Sequence, residues 1–321
     1  MIKKLISWLV GFPKRAYTVM ELRTGFATGL PILSSGLFGA YLVGHLRIIP
    51  LVLFFICGYS FNIVANVANE IRAYLKNEED DKTLTEHFGS EGLVRGDATL
   101  LDAVLNLLGV LGIGGISGLG LTWLLNSWLL LVLGILGLVA ALTYSLGPKP
   151  YIVYPVGEFV SGLFVGGLSS LLSSWIQVGQ LILPSVLYAW ICMMLTVFLM
   201  STNNTGDYEK DLGVRRTLPH VIGFRASILI IIPEFITVLV AWAMLGLTVI
   251  PWWVFLIGLI IFYVQGYKRW YQAYYKIQKV YPEMGREFGP RPLLVIYHFH
   301  GWLTFIFWLL LIKESGKWLW L

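Results

Sequence analysis

T-G-F-A-T-G-L-P-I-L-S-S-G-L-F-G-A-Y-L-V-G-H-L, Thr24 to Leu46, contains no Asp, Glu, Lys or Arg, and after Arg47 a second charge-free stretch runs from Ile48 to Asn69. Each is long enough for one bilayer crossing, since a helix needs about 20 apolar residues at 1.5 Å rise each to span the hydrocarbon. The same pattern extends along the chain. Charges are absent from Pro292 to Ile312, and longer gaps cover 103 to 148, 159 to 206 and 235 to 267. Two helices fit in each of the first two long gaps, with breaks expected near Ser117–Gly120 and Ser173–Gln180. In the third, Gly246–Pro251 separates two more, the earlier one starting near Ile222 and enclosing Glu234. The expectation is an all-α integral membrane protein, one domain over 1–321, with nine transmembrane helices at about 24–46, 48–71, 100–118, 121–143, 155–172, 181–200, 222–245, 250–266 and 293–312. Backbone polar groups in hydrocarbon can be satisfied only within helices or a closed barrel, and the ten-residue alternation of barrel strands is missing.

Composition agrees. Of 321 residues 57% are apolar and only 13% charged, against about 45–50% and about 25% in soluble domains. A water-soluble enzyme, a disordered tail and a secreted disulfide scaffold are excluded. With the N-terminus placed in the cytoplasm, 20 of the 23 Lys and Arg residues fall in inner segments and only Arg47, Lys313 and Lys317 fall outside. That is the positive-inside bias, so the net charge of +5 reflects topology in a cell membrane and does not indicate a nucleic-acid partner. The opening M-I-K-K-L-I-S-W-L-V-G-F-P-K-R has too short an apolar run and no small-residue cleavage site for a signal peptide, and reads as an interfacial amphipathic stretch. Cys57 and Cys192 fall inside expected helices, where packing is their expected role.

Three inner segments carry most of the polar length: 72–99, 201–221 and 265–291. If helices 1–4 and 5–8 form two similar units, the first two segments occupy equivalent positions. At the first, N-V-A-N-E-I-R sets Asn66 and Glu70 at i, i+4 on one helical face, with Asn62 a turn earlier and Asp80 and Asp81 following. At the second, N-N-T-G-D-Y-E-K-D sets Asp207 and Asp211 at i, i+4, with Asn203 a turn before. Oxygen pairs at helical spacing suit Mg²⁺, which prefers carboxylates, phosphate oxygens and retained waters. A single D-x-x-x-D at a helix end is commonly just solvated charge; two acid–amide pairs at matching positions point to metal-mediated binding of a diphosphate.

Asn203 to Gly223, N-N-T-G-D-Y-E-K-D-L-G-V-R-R-T-L-P-H-V-I-G, resembles the second aspartate motif of the UbiA family of intramembrane prenyltransferases. Tyr144 to Glu158, Y-S-L-G-P-K-P-Y-I-V-Y-P-V-G-E, is similar to the Tyr-…-Gly-Pro-…-Gly-Glu/Asp segment of its 1,4-dihydroxy-2-naphthoate (menaquinone-pathway) branch, and E-D-D-K-T-L, Glu79 to Leu84, to the loop after that branch's first motif. The first motif departs from the family pattern NDxxDxxxD: Val67 follows Asn66, the next acid is Glu70, and Lys76 stands where a later Asp would fall.

The resemblance implies Mg²⁺-dependent transfer of a polyprenyl chain from a polyprenyl diphosphate to a small aromatic acceptor. Asn66, Glu70, Asp207 and Asp211 would hold the metal, with Asp80 and Asp81 as further candidates. Arg23, Arg72, Lys149 and Arg215 would neutralise the diphosphate, and Tyr144 would face the allylic cation. Glu158 would orient the acceptor or serve structure; Glu234 is either a functional acid or a neutral group bonded near Pro233. His298 and His300, two apart, do not form a metal pair. The glycine-rich stretches 109–120 and 162–167 fit close helix packing or a tunnel. Other readings are a different family acceptor (4-hydroxybenzoate, homogentisate, prenylglyceryl phosphate), a family terpene cyclase, and a transporter.

Overall fold

The computed structural model describes residues 2–78, 91–272 and 292–315, and these contain helices and no strand. In chain order the helices are α1 (Ile2–Tyr17), α2 (Leu22–Val43), α3 (Ile48–Lys76), α4 (Leu100–Leu125), α5 (Trp128–Ser145), α6 (Gly157–Val178) and α7 (Leu183–Gly206). They continue with the short α8 (Leu218–Ile222), α9 (Phe224–Thr248), α10 (Trp252–Ile261, continued by a π-helical turn Phe262–Tyr267) and α11 (Pro292–Ser315). Among the described residues eight helices are long and apolar enough to cross a membrane: α2 to α7, α9 and α11. Where a ninth span is expected, over 250–266, the described residues form the helix α10, which is not among those eight.

Sequence accounts for the ends of α4. Thr99 caps its N-terminus in a capping box with Asp102, and Asn126 ends it in the left-handed region at φ 47°. The break expected at Ser117–Gly120 is therefore absent, and the two helices divide at Asn126–Ser127. Gly118 serves close packing: a Cβ there would sit 3.1 Å from Cys57 Sγ. The buried face of α4 carries Asp102, Asn106 and Ser117, while Leu108, Ile116 and Trp123 are exposed. Ala103, Val110 and Leu121 share the buried face, and the large apolar side chains on the exposed face fit hydrocarbon as the surrounding solvent.

The chain divides into two compact units, 1–26 with 56–150 and 27–55 with 151–321. One boundary, at 150/151, falls between the fourth and fifth spans, and the other two cut α2 and α3. The first unit is built around Val19, Ile63, Val64, Val67, Ile71 and Ala103. The second has a larger core centred on Phe38, Tyr188, Trp242, Phe262, Phe299 and Phe307. There Gly162 in the π-helical stretch of α6 comes against α7, where its Cβ would lie 3.1 Å from the Met193 carbonyl. Cys57 and Cys192 are buried free thiols. His300 is fully buried and bonded through Nδ1 to Ser34 Oγ at 2.8 Å.

Candidate functional site

In the first unit, the acid–amide pair near the end of α3 is engaged with its own surroundings. Asn66 Nδ2 donates to Thr24 Oγ1 at 2.6 Å and lies 3.4 Å from the Met20 carbonyl, tying α3 to the α1–α2 junction. What Asn66 offers a ligand is its amide oxygen. Glu70, 7% exposed, accepts the backbone N–H of Glu91 at 2.9 Å on one oxygen and that of Leu93 at 3.0 Å on the other. Arg72 pairs with Glu78 at 2.6 Å and donates to the Ser145 carbonyl at 3.3 Å, at the C-terminal end of α5 beside half-buried Tyr144. Arg23 and Lys149 are exposed. Asp80 and Asp81 lie outside the described residues.

The second unit assembles a tighter group. Asp207 caps the C-terminus of α7, its N–H bonded to the Asn203 carbonyl at 2.9 Å, and the next turn places the Asp211 N–H on the Asp207 carbonyl at 2.9 Å. The helical spacing expected of the pair is thus maintained one turn past the end of α7. Arg215 stands 3.9 Å from the Asp211 carboxylate. Asp211 is 5% exposed. Burial lifts its carboxyl above the ordinary aspartate value, against the pull of the Arg215 charge; the negative charge of Asp207 pushes the same way as burial. Gly213, at φ +82°, supplies the left-handed residue that turns the chain back toward α8.

This loop is fastened from several sides. His220 stacks on Tyr208 with centroids 4.7 Å apart and bonds the Tyr208 carbonyl at 2.9 Å, while its other ring nitrogen meets Thr217 Oγ1 at 2.9 Å. The Arg216 N–H donates to the Val153 carbonyl at 3.0 Å. Glu158, 2% exposed, accepts from Asn204 Nδ2 at 2.7 Å and from the Leu218 N–H at 3.1 Å on one oxygen. The Gly-Glu end of the 144–158 segment therefore holds both sides of the Asp207–Asp211 loop. Glu234 accepts from Ser201 Oγ at 2.7 Å, a hydroxyl from α7 in place of the group near Pro233. The remaining oxygen of Glu158 and that of Glu234 are buried without a partner. Asn204 and His220 carry no metal-motif signal in the sequence, and only contact reveals them.

Among the described residues no three His, Cys, Asp or Glu side chains converge to hold a metal ion. A two-carboxylate site still fits Mg²⁺, which is usually held by one or two carboxylates together with waters and substrate phosphates.

Residues 30–289 match the model of the UbiA prenyltransferase family. Over 111 residues the chain is 30% identical to a 1,4-dihydroxy-2-naphthoate octaprenyltransferase of Bacillus subtilis (strain 168), covering 34% of this chain and 36% of that one. Over 177 residues it is 27% identical to the protein of the same name from Escherichia coli (strain K12), covering 54% and 56%. The matches thus span about a third to a half of these curated relatives' lengths. In solved structures the fold is similar to a UbiA homolog from Archaeoglobus fulgidus bound to DMAPP and Mg²⁺, with a TM-score of 0.61, 12% identity and coverage of 95% and 100%. It is also similar to a digeranylgeranylglyceryl phosphate synthase, at TM-score 0.55, 17% identity and coverage of 95% and 99%.

Proposed function

Because this chain belongs to the UbiA prenyltransferase family, we propose that it transfers a polyprenyl chain from an isoprenyl diphosphate to 1,4-dihydroxy-2-naphthoate, the acceptor in the names of its two curated relatives. The carrying observation is the Asp207–Asp211 pair, kept at i, i+4 beyond the end of α7 with Arg215 beside it. Asp207 and Asp211 are assigned as Mg²⁺ ligands. Bound there, Mg²⁺ supplies neutralisation of the negative charge that grows on the departing diphosphate. Arg215, already drawn to Asp211, adds a guanidinium suited to phosphate oxygens. Glu158 and His220 hold the loop in the shape that presents the pair.

In the first motif, Asn66 offers its amide oxygen, whereas Glu70 has both carboxylate oxygens on backbone N–H groups. We assign Glu70 chiefly to holding the segment at 91–93. A first motif with reduced ligand capacity also favours a second reading, ionisation of the diphosphate followed by cyclisation without an external acceptor.

One assay separates these readings. The purified full chain is incubated with Mg²⁺, a labelled prenyl diphosphate and a panel of acceptors: 1,4-dihydroxy-2-naphthoate, 4-hydroxybenzoate, homogentisate and a prenylglyceryl phosphate. The proposal expects diphosphate release with a prenylated naphthoate-derived adduct. A cyclic hydrocarbon, or an adduct formed only with another acceptor, contradicts the acceptor assignment. Absence of diphosphate release contradicts prenyl transfer.

A further inference from the structure

The last turns of α7, which lead into Asp207, carry a second buried attachment besides Glu158. On α7 the buried residues Leu195, Phe198, Ser201 and Thr205 recur at helical spacing, and on α9 so do Ile231, Glu234, Val238 and Ala241. The two stripes meet. Phe198 packs edge-on against Phe235 with ring centroids 5.4 Å apart, and three residues further along α7 Ser201 Oγ donates to Glu234 Oε1 at 2.7 Å. Thr205 Oγ1 donates to the Ser201 carbonyl at 2.6 Å, and Asn204 reaches Glu158 of α6. The end of α7 is therefore bonded to α6 and to α9 just before Asp207.

Packing does not call for a carboxyl at 234. The neighbours of Glu234 on its stripe, Ile231 and Val238, are buried and apolar, and an acid within a membrane helix is costly. Glu234 is itself buried, and its Oε2 has no partner among the described residues, so that cost is only partly offset. What the acid adds over an apolar side chain is direction. A hydrogen bond of 2.7 Å fixes the rotation of α7 against α9, whereas an apolar contact tolerates sliding. Side chains extend about 5–6 Å from a helix axis, so a turn of about 10° moves an oxygen near the end of α7 by about 1 Å. A displacement of that size can cost about a hundredfold in rate.

We propose that Glu234 is a positioning residue for the diphosphate site: through Ser201 it sets the rotation of the α7 end from which Asp207 and the loop to Asp211 emerge. This rests on Asp207 and Asp211 being the Mg²⁺ ligands, and it gives Glu234 no contact with metal or substrate. The Ser201 hydroxyl needs only an acceptor oxygen, so an amide at 234 serves in place of the carboxyl.

The test is the Mg²⁺ concentration that half-saturates diphosphate release by the purified full chain supplied with labelled geranyl diphosphate. This quantity does not depend on how much of the enzyme is folded. Glu234→Leu and Ser201→Ala should each raise it by about tenfold, and the double variant no further, because both remove the same bond. Glu234→Gln should stay within about twofold of the wild type. Phe235→Leu, which removes the neighbouring ring contact, should lower the melting temperature without moving the half-saturation, separating lost packing from lost direction. Should Glu234→Leu fail to fold, Ser201→Ala and Glu234→Gln decide. Wild-type half-saturation in Ser201→Ala and Glu234→Leu, in a chain whose Asp207→Ala variant has lost diphosphate release, overturns the positioning role and leaves the metal assignment standing. A tenfold rise in Glu234→Gln, or an equal rise in Phe235→Leu, also overturns it. Unimpaired release by Asp207→Ala overturns both.

Discussion

The carboxylate of Glu70 accepts the backbone N–H of Leu93 at 3.0 Å, joining the end of α3 to a segment more than twenty residues further along the chain. Its second oxygen accepts the Glu91 N–H, so one buried side chain satisfies two backbone donors. Glu70→Gln leaves a single acceptor oxygen for two donors. The expected result is a loss of about 1–3 kcal/mol of local stability, measured as faster hydrogen exchange at the Glu91 and Leu93 amides. Unchanged exchange would show that the carboxylate does not hold this segment.

Asp102 should be among the most costly positions of the first unit to change. It closes the capping box of α4 with Thr99 and also pairs with Arg15 at 3.0 Å, its own side chain being fully buried. Removing one partner of a buried pair costs about 3–5 kcal/mol; because the Arg15 side chain is 24% exposed, the low end of that range is expected. Asp102→Ala should therefore lower the melting temperature clearly more than Arg95→Ala, whose pair with Glu91 is a more exposed i, i+4 contact. Equal shifts would remove the special role given to Asp102.

Much of this was legible in the chain itself. Charge-free runs located the spans because a charge in hydrocarbon is expensive, and the D-x-x-x-D spacing at Asp207–Asp211 is kept in space. One reading failed and one contact was not legible, each for an identifiable reason. Glycines near 117–120 suggested a break, yet in a membrane helix a glycine also permits close approach, and Gly118 packs beside Cys57. Glu70 has the same spacing signature as a ligand pair, and nothing local announces that its oxygens meet amides at 91 and 93. Long-range contacts of that kind have no period. The same applies to Glu158, whose link to Asn204 and Leu218 spans 46 and 60 residues.

Glu158→Gln tests whether that link shapes the loop. The amide retains one acceptor oxygen but loses the charge that strengthens the bonds from Asn204 and Leu218. Prenyl transfer should fall by roughly tenfold, with most of the loss in the donor's KM, as expected for a group that positions a binding loop. Asn204→Ala should reproduce part of this effect. An unchanged donor KM in both variants would contradict the positioning role.

Removal of divalent metal should stop diphosphate release, and Mg²⁺ added back should restore it, since the described acids form a pair and not a closed cage. The readout is inorganic diphosphate from a labelled donor in EDTA before and after Mg²⁺ is supplied. Release that persists in EDTA would contradict a metal-dependent reaction.

The most direct test is diphosphate release by Asp207→Ala in Mg²⁺ with a saturating labelled prenyl diphosphate. Loss of a metal-binding carboxylate is expected to lower the rate by at least about a hundredfold, with the melting temperature close to that of the wild type because Asp207 is only half-buried at the end of α7. A correctly folded variant that releases diphosphate at the wild-type rate would contradict the assignment of this pair as the seat of the chemistry.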